Sequence, residues 1–268
     1  MQTSRDEIRM STTQIEFGSA THVGRVRSNN EDNYRVVPAL KLFVLSDGIG
    51  GQANGEVASA MAVETIVTHC LELSTGGSIY NGDEPRTEIS DRTADLARAA
   101  YLANRAIHAA SVSDPELQGM GATVVAAWID GLRLSLVHVG DSRAYLLRGG
   151  DLASLTADHT LVAEQVRNGI LTLEQAQTNP LRRMLIRALG VRAEVEIDIH
   201  EQELCDGDAL LLCTDGLTGM VPESEITDVL LHEPDAQNAA DRLVASANDH
   251  GGEDNVTVIL ARIGPSKI

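Results

Sequence analysis

Four aspartates stand where an apolar run meets a turn: Leu45-Ser46-Asp47-Gly48, Val139-Gly140-Asp141-Ser142-Arg143, Cys213-Thr214-Asp215-Gly216 and Gly252-Glu253-Asp254-Asn255. The runs Leu42 to Leu45, Leu132 to Val139 and Ala209 to Cys213 lead into the first three, and Val256 to Leu260 follows the fourth. Runs of this length read as buried strands, which puts the carboxylates on the rim of a packed sheet. Like charges gathered there repel one another unless a cation joins them. A single Asp-Gly after a strand is ordinary turn chemistry, because Asp bonds its own backbone and Gly accepts positive φ. Four similar corners, scattered from residue 47 to residue 254, point instead to convergence on a hard metal ion.

The chain has 268 residues, of which 43% are hydrophobic, enough for a sizeable core in one large domain or two small ones. No stretch of about 18 apolar residues is present to cross a bilayer, and the first residues lack the basic-then-apolar order of a secretion signal. The expected location is the cytoplasm. Cys70, Cys205 and Cys213 are odd in number and widely spaced, which favours reduced core residues over a disulfide framework or a thiolate metal site. Asp and Glu number 39 against 21 Lys and Arg, for a formal charge of −18. Phosphate-backbone binding needs clustered cations, so neither nucleic acid nor an anionic membrane is an expected partner.

Residues 1–13 are polar and patternless and are expected to be disordered, with order beginning near Ile15. Helical spacing predicts helices over 56–73 and 92–110, separated by a Gly/Ser/Pro-rich loop over 74–90, with Asp114-Pro115 stopping the second. Strands are predicted over 122–129 and 132–139, joined at Asp130-Gly131, and over 144–147 and 152–155 around Gly149-Gly150. These short connections imply antiparallel pairing. Further helices at 160–188 and 236–249, with about nine strands in all, give an α/β (α+β) layered sandwich. Residues 156–190 interrupt the strand pattern beside the Asp141 corner, dividing into Leu161 to Asn168, Gly169, a helix-like Leu173 to Gln177, and Asn179-Pro180 before Leu181 to Leu189, and both a lid and a pair of packing helices are consistent with them.

Together, Arg27, Glu31-Asp32, the Asp47-Gly48-Ile49-Gly50-Gly51 loop, Gly121-Ala122-Thr123, Gly140-Asp141-Ser142-Arg143, Thr214-Asp215-Gly216 and Glu253-Asp254-Asn255 resemble the metal-dependent Ser/Thr phosphatases of the protein phosphatase 2C (PPM) type, in their short bacterial form. The resemblance runs in order from about residue 17 to 262. It implies a four-layer αββα sandwich with two mainly antiparallel sheets packed face to face, one domain over 14–264, and a flap at 156–190. It implies that Asp47 bridges two Mn²⁺ or Mg²⁺ ions, that Gly48 lends its carbonyl, that Asp215 and Asp254 complete the second ion's shell, and that Asp141 with Asp215 holds a weaker third ion. An oxygen-only donor set suits such hard ions. Glu31 and Asp32 match the pair that orients metal-bound waters.

Arg27 matches the arginine that grips the substrate phosphate, a role suited to a planar guanidinium fork. Arg25, two residues earlier, points the same way if the segment is extended. The implied reaction is hydrolysis of phosphoserine and phosphothreonine in proteins, by in-line attack of a metal-bridging hydroxide. The expected partners are phosphorylated Ser/Thr proteins, a cognate bacterial Ser/Thr kinase or its targets among them. Two departures stand out. Ile49 occupies the place of the proton-donating His of eukaryotic relatives, leaving the general acid to a metal-bound water or to another side chain such as His159, which otherwise reads as a surface His near a helix start. Thr178-Asn179-Pro180 stands where bacterial relatives carry Ser-His-Pro. The rival readings are a catalytically weak metal-binding scaffold and a hydrolase of small phosphoesters on the same centre.

Overall fold

Successive side chains from Leu42 to Leu45 point to opposite faces of a sheet, yet all of them are buried. Leu42 and Val44 pack into one apolar cluster, Phe43 and Leu45 into another. A strand covered on both faces needs no polar alternation, which is why such runs are unbroken in this sequence. The computed structural model describes residues 14–50, 54–75 and 89–264.

Among the described residues the strands are β1 (Gln14–His22), β2 (Asp32–Val37), β3 (Leu42–Ile49), β4 (Gly121–Ala122), β5 (Val124–Asp130), β6 (Arg133–Val139), β7 (Arg143–Arg148), β8 (Asp151–Ser154), β9 (Asp198–Glu203), β10 (Ala209–Cys213) and β11 (Val256–Gly264). They form two sheets, one in the order β1-β11-β10-β7-β8 and one in the order β2-β3-β5-β6-β9 with β4 beside β3. Every pairing is antiparallel. The helices are α1 (Asn54–Ser74), α2 (Asp91–Ser113), α3 (Leu161–Arg167), α4 (Leu173–Gln177), α5 (Asp215–Thr218), α6 (Glu223–His232) and α7 (Ala236–Asp249).

Three apolar clusters separate four layers. Leu96, Ala103 and Ile107 of α2 and Ala62 and Ile66 of α1 cover the outer face of the second sheet through Val44, Val124 and Val137. Leu243 of α7 and Val229 of α6 cover the first sheet through Leu211 and Val258. Between the sheets, Phe43, Leu45 and Val125 meet Leu210, Leu212 and Ile259. The result is the expected αββα sandwich.

Several local expectations need correction. Asp47 does not follow its strand but lies inside it, because β3 runs on to Ile49. The strand expected over 122–129 breaks at Thr123, whose side chain is engaged at the site described below. Within the helical span expected over about 160–188, the pieces at Leu161 to Asn168 and Leu173 to Gln177 form as α3, which ends at Arg167, and α4, divided at Gly169 with φ +71°, while 181–189 is not helical. A glycine in the left-handed region ends a helix readily, and Pro180 lacks the N–H that a helix interior needs. Strands β2 and β9 and helix α6 had no distinct signal in the pattern. The stretch expected to be disordered, 1–13, lies outside the described residues, as do 76–88 of the predicted loop.

The 156–190 segment crosses from β8 of one sheet toward β9 of the other, along the edge that carries the Asp141 corner. It is pinned there by the backbone: His159 N–H donates to Gly140 O (2.8 Å), Ile186 N–H donates to His159 O (2.9 Å), and Leu189 and Ala122 exchange bonds of 2.8 and 3.1 Å.

Candidate metal centre

Strand pairing sets the first two carboxylates side by side, since Asp32 of β2 lies directly opposite Asp47 of β3. Thr123 fixes Asp47 from the neighbouring strand break. Its Oγ1 accepts from Asp47 N–H (2.9 Å), its N–H donates to Asp47 O (2.8 Å), and its Oγ1 lies 2.7 Å from Ser142 Oγ. The Asp47 and Asp141 corners are therefore tied through one threonine. Gly140 makes the second corner with φ +111°, and a Cβ there would stand 2.6 Å from Thr123. Asp215 opens α5 and Asp254 precedes β11, and these two corners press together: a Cβ on Gly216 would stand 1.9 Å from Asn255 O. Gly48 is held as closely, with Gly55 O of α1 only 2.0 Å from where its Cβ would be. Only glycine fits such contacts.

All four corners open onto one cavity of about 160 Å³, lined by Asp47, Asp141, Asp215 and Asp254 together with Arg27 and Glu31. Burial holds the Asp47 carboxyl well above the usual range, and the charges of Asp32, Asp215 and Asp141 push it the same way. Asp141 is pushed up to about 8 by burial and then by Asp215. Asp32 is pushed up to about 7 by burial, against the pull of hydrogen bonds from Thr257 (2.7 Å) and Thr214 (3.0 Å) to its Oδ2. Burial also raises Asp215, opposed by Arg183. Asp32 Oδ1 and Asp215 Oδ1 are buried with no hydrogen-bond partner among the described residues. Buried carboxylate oxygens left unpartnered are costly, and an oxygen-only cage of this kind fits Mg²⁺ or Mn²⁺.

Asn255 organises the approach to this cage. Its Oδ1 accepts from Glu31 N–H (2.8 Å), and its Nδ2 donates to Val23 O (2.9 Å) and Asn29 O (2.8 Å). The loop bearing Arg27 is thereby fastened to the Asp254 corner. Arg27 Nη2 donates to Asp254 Oδ2 at 2.9 Å, and although burial works against its charge, Asp254 together with Glu31 and Asp47 raises its pKa. Glu31 is raised by burial, with Arg27 opposing. Arg25 does not point the same way as Arg27. The segment is not extended, and Arg25 Nε donates to Asn248 O (2.8 Å) on α7 while its Nη2 pairs with Asp249 (3.3 Å), away from the cavity.

Two residues at the site had no role assigned from sequence. Asn255 stood inside a quoted motif, but its three bonds reach residues more than two hundred positions away. Arg183 lies in the 156–190 segment, where no pattern marked it. Its Nη1 donates to Asp254 Oδ2 (2.7 Å) and its Nε lies 3.6 Å from Asp215 Oδ2.

His159 is not a surface residue: it is 2% exposed and does not line the cavity. With His138 and Asp198 it forms the only group of ligand-type side chains among the described residues whose ligand atoms all lie within 4.8 Å of one another. It does not fit a metal. A metal-binding His donates from its other ring nitrogen, whereas His159 Nδ1 accepts from Gly140 N–H (3.0 Å), leaving the proton on Nε2 to donate to Asp198 Oδ2 (3.1 Å). Arg187 already supplies the positive charge there, donating from its Nη1 to Asp198 Oδ1.

The sequence model of the family described as protein phosphatase 2C matches residues 21–260. A serine/threonine phosphatase stp of Listeria welshimeri is 38% identical over 243 residues, covering 90% of this chain and 92% of that protein. The serine/threonine protein phosphatase PstP of Mycobacterium tuberculosis is 38% identical over 252 residues, covering 94% of this chain and 46% of that longer protein. A crystal structure of the M. tuberculosis phosphatase superposes with a TM-score of 0.82 at 38% identity over 94% of this chain and 99% of that one. The catalytic domain of PstP in complex with two manganese ions superposes with a TM-score of 0.80 at 37% identity, over 95% of this chain and all of that one.

Proposed function

The chain belongs to the protein phosphatase 2C family, and on that premise we propose that it is a divalent-metal-dependent protein serine/threonine phosphatase. The observation that carries this reading is the convergence of Asp47, Asp141, Asp215 and Asp254, far apart in sequence, on one small cavity with Arg27 at its rim. The substrates are phosphoserine and phosphothreonine in proteins, and a cognate bacterial Ser/Thr kinase or its targets are the natural ones. No helix among the described residues is long and apolar enough to cross a membrane; we place the enzyme in the cytoplasm.

Asp47 and the Gly48 carbonyl would hold a pair of ions, with Asp215 and Asp254 completing the second ion's shell and Asp141 with Asp215 holding a weaker third. Mn²⁺ or Mg²⁺ suits these oxygens. When bound, such ions supply a water of lowered pKa and a positive field for the phosphoryl oxygens. The chain's own residues do the rest. Arg27 holds phosphate oxygens with its fork and turns phosphorus toward the cage. Glu31 and Asp32 accept from water at the cage edge, and Asp32 is itself oriented by Thr214 and Thr257. Ile49 lines the cavity without a proton to give and His159 does not line it, and we assign protonation of the leaving alkoxide to a metal-bound water.

All the ligand-type positions and the phosphate arginine are present, which weighs against a scaffold without activity. Phosphate release from a phosphothreonine peptide, a nucleotide and p-nitrophenyl phosphate, each with Mn²⁺ and with chelator, tests the reading. Mn²⁺-dependent turnover that favours the peptide is expected. Preference for the nucleotide, or turnover that survives the chelator, would overturn it.

A further inference from the structure

Two guanidinium groups reach the same carboxylate oxygen. Asp254 Oδ2 accepts from Arg27 Nη2 at 2.9 Å and from Arg183 Nη1 at 2.7 Å. Arg183 leans further into the cage, with its Nε 3.6 Å from Asp215 Oδ2 and its Nη2 4.0 Å from Glu253. It is carried by the 156–190 segment, whose backbone is anchored close by: Met184 O accepts from Leu161 N–H (2.8 Å) and Ile186 N–H donates to His159 O. Arg183 is half-buried and lines the same cavity as Asp47.

A divalent ion held by Asp215 and Asp254 needs the carboxylate oxygens that Arg183 now neutralises. A divalent ion takes up the lone pairs to which the guanidinium now donates and adds two positive charges beside it, so the two compete for these oxygens. An ion entering the cage therefore displaces the guanidinium from Asp254. The anchored backbone keeps it at the cavity mouth, beside Arg27. The one anion that arrives there in the reaction is the substrate phosphate, which offers more oxygens than a single fork can satisfy.

We propose that Arg183 is a second phosphate-binding arginine, which pairs with Asp254 and Asp215 when the cage is free of ions and is handed to the phosphate when ions bind. The inference rests on the reading of the cage as a divalent-metal centre. It adds a specificity-determining residue from the flap, and it makes ion occupancy and phosphate affinity interdependent through one side chain. A flap that differs at this position would hold phosphate less tightly while keeping the cage intact.

Calorimetric titration of Arg183→Gln and Arg183→Lys tests both halves. Mn²⁺ is titrated into the ion-stripped protein, and inorganic phosphate into the Mn²⁺-loaded protein. Removing the competing cation should tighten Mn²⁺ binding by about three- to tenfold, a modest gain because Arg183 is partly exposed and screened. It should weaken phosphate binding by about tenfold or more. Arg183→Lys should bind phosphate at an intermediate level, because it keeps the charge and loses the fork. Unchanged or weaker Mn²⁺ binding by Arg183→Gln, or wild-type phosphate affinity, would overturn the proposal. Thermal melting of the ion-free variants establishes that they are folded, and Arg183→Met, which keeps the apolar stem, replaces Arg183→Gln if that variant is not. Because both readouts are binding constants, they are separate from the peptide assay: a protein that turns over no phosphopeptide yet shows both shifts refutes the proposed function and leaves this inference standing.

Discussion

Asp32 and Asp47 face each other across the β2–β3 pair, and the register that opposes them also places Tyr34 against Leu45 and Val36 against Phe43 within the buried sheet. Directly opposed like charges destabilise a strand pair. The same pairing that builds the intersheet core therefore forces two carboxylates together at its end, an arrangement that the proposed cation would relieve.

That relationship gives the first prediction. Asp47→Asn should lose activity with every divalent ion, by more than about 100-fold in kcat/KM, the upper range for residues that only orient a ligand. The same substitution removes a repulsion, so the ion-free variant should melt at a higher temperature than the ion-free wild type, by about 2–4 °C for each kcal/mol relieved. Near-normal turnover would sink the assignment of Asp47.

A second prediction separates the ions. Asp141 is fixed by the Gly140 turn and its neighbour Ser142, whose hydroxyl meets Thr123, so Asp141→Asn should leave the Asp47 corner undisturbed. Calorimetry should show two ions retained and a third weakened. Loss of both tighter ions in this variant would contradict the arrangement.

The positions of Asp47, Asp141, Asp215 and Asp254 were legible in the sequence because each stands close to an apolar run that reads as a buried strand. The layered fold was legible for the same reason, through the hairpin at Asp130-Gly131 and the helical spacing of α1, α2 and α7. Arg183 was not, because a lone arginine in a segment without periodicity carries no mark until the chain brings it to Asp254. His159 read as a surface residue because nothing local reports that Gly140, Asp198 and His138 will enclose it. The two short helices of the 156–190 segment were legible because Gly169 and Pro180 punctuate the apolar spacing on either side of Leu173–Gln177.

A third prediction distinguishes the two arginines of the N-terminal loop. Arg27 faces the cavity and Arg25 faces α7. Phosphate oxygens are charged in both ground and transition states, so losing Arg27 should raise KM more than it lowers kcat. At about 1.5–3 kcal/mol for a charge-assisted bond, Arg27→Ala should lower kcat/KM by about ten- to several-hundred-fold. Arg25→Ala should change little, and a larger defect there than in Arg27→Ala would show that the wrong residue had been chosen.

The last prediction couples ions to pH. Asp32, pushed up to about 7, and Asp141, pushed up to about 8, lie above the value of about 4 for an unfolded aspartate. Across that window the folded ion-free protein binds more protons than the unfolded chain, so these groups lower its stability as pH rises. A divalent ion requires them ionised and displaces their protons. The increase in Tm on adding Mn²⁺ should therefore be small at about pH 5 and grow toward about pH 8, by about 1.4 kcal/mol per pH unit for each proton displaced. His138, which burial pulls down to about 4, acts in the opposite sense. It is charged or neutral alike with and without ions, however, and cancels in the difference. Melting curves with Mn²⁺ and with chelator, taken across this range, measure the effect directly. A Tm increase that stays constant or shrinks with rising pH would mean that the buried carboxylates do not hold the ion.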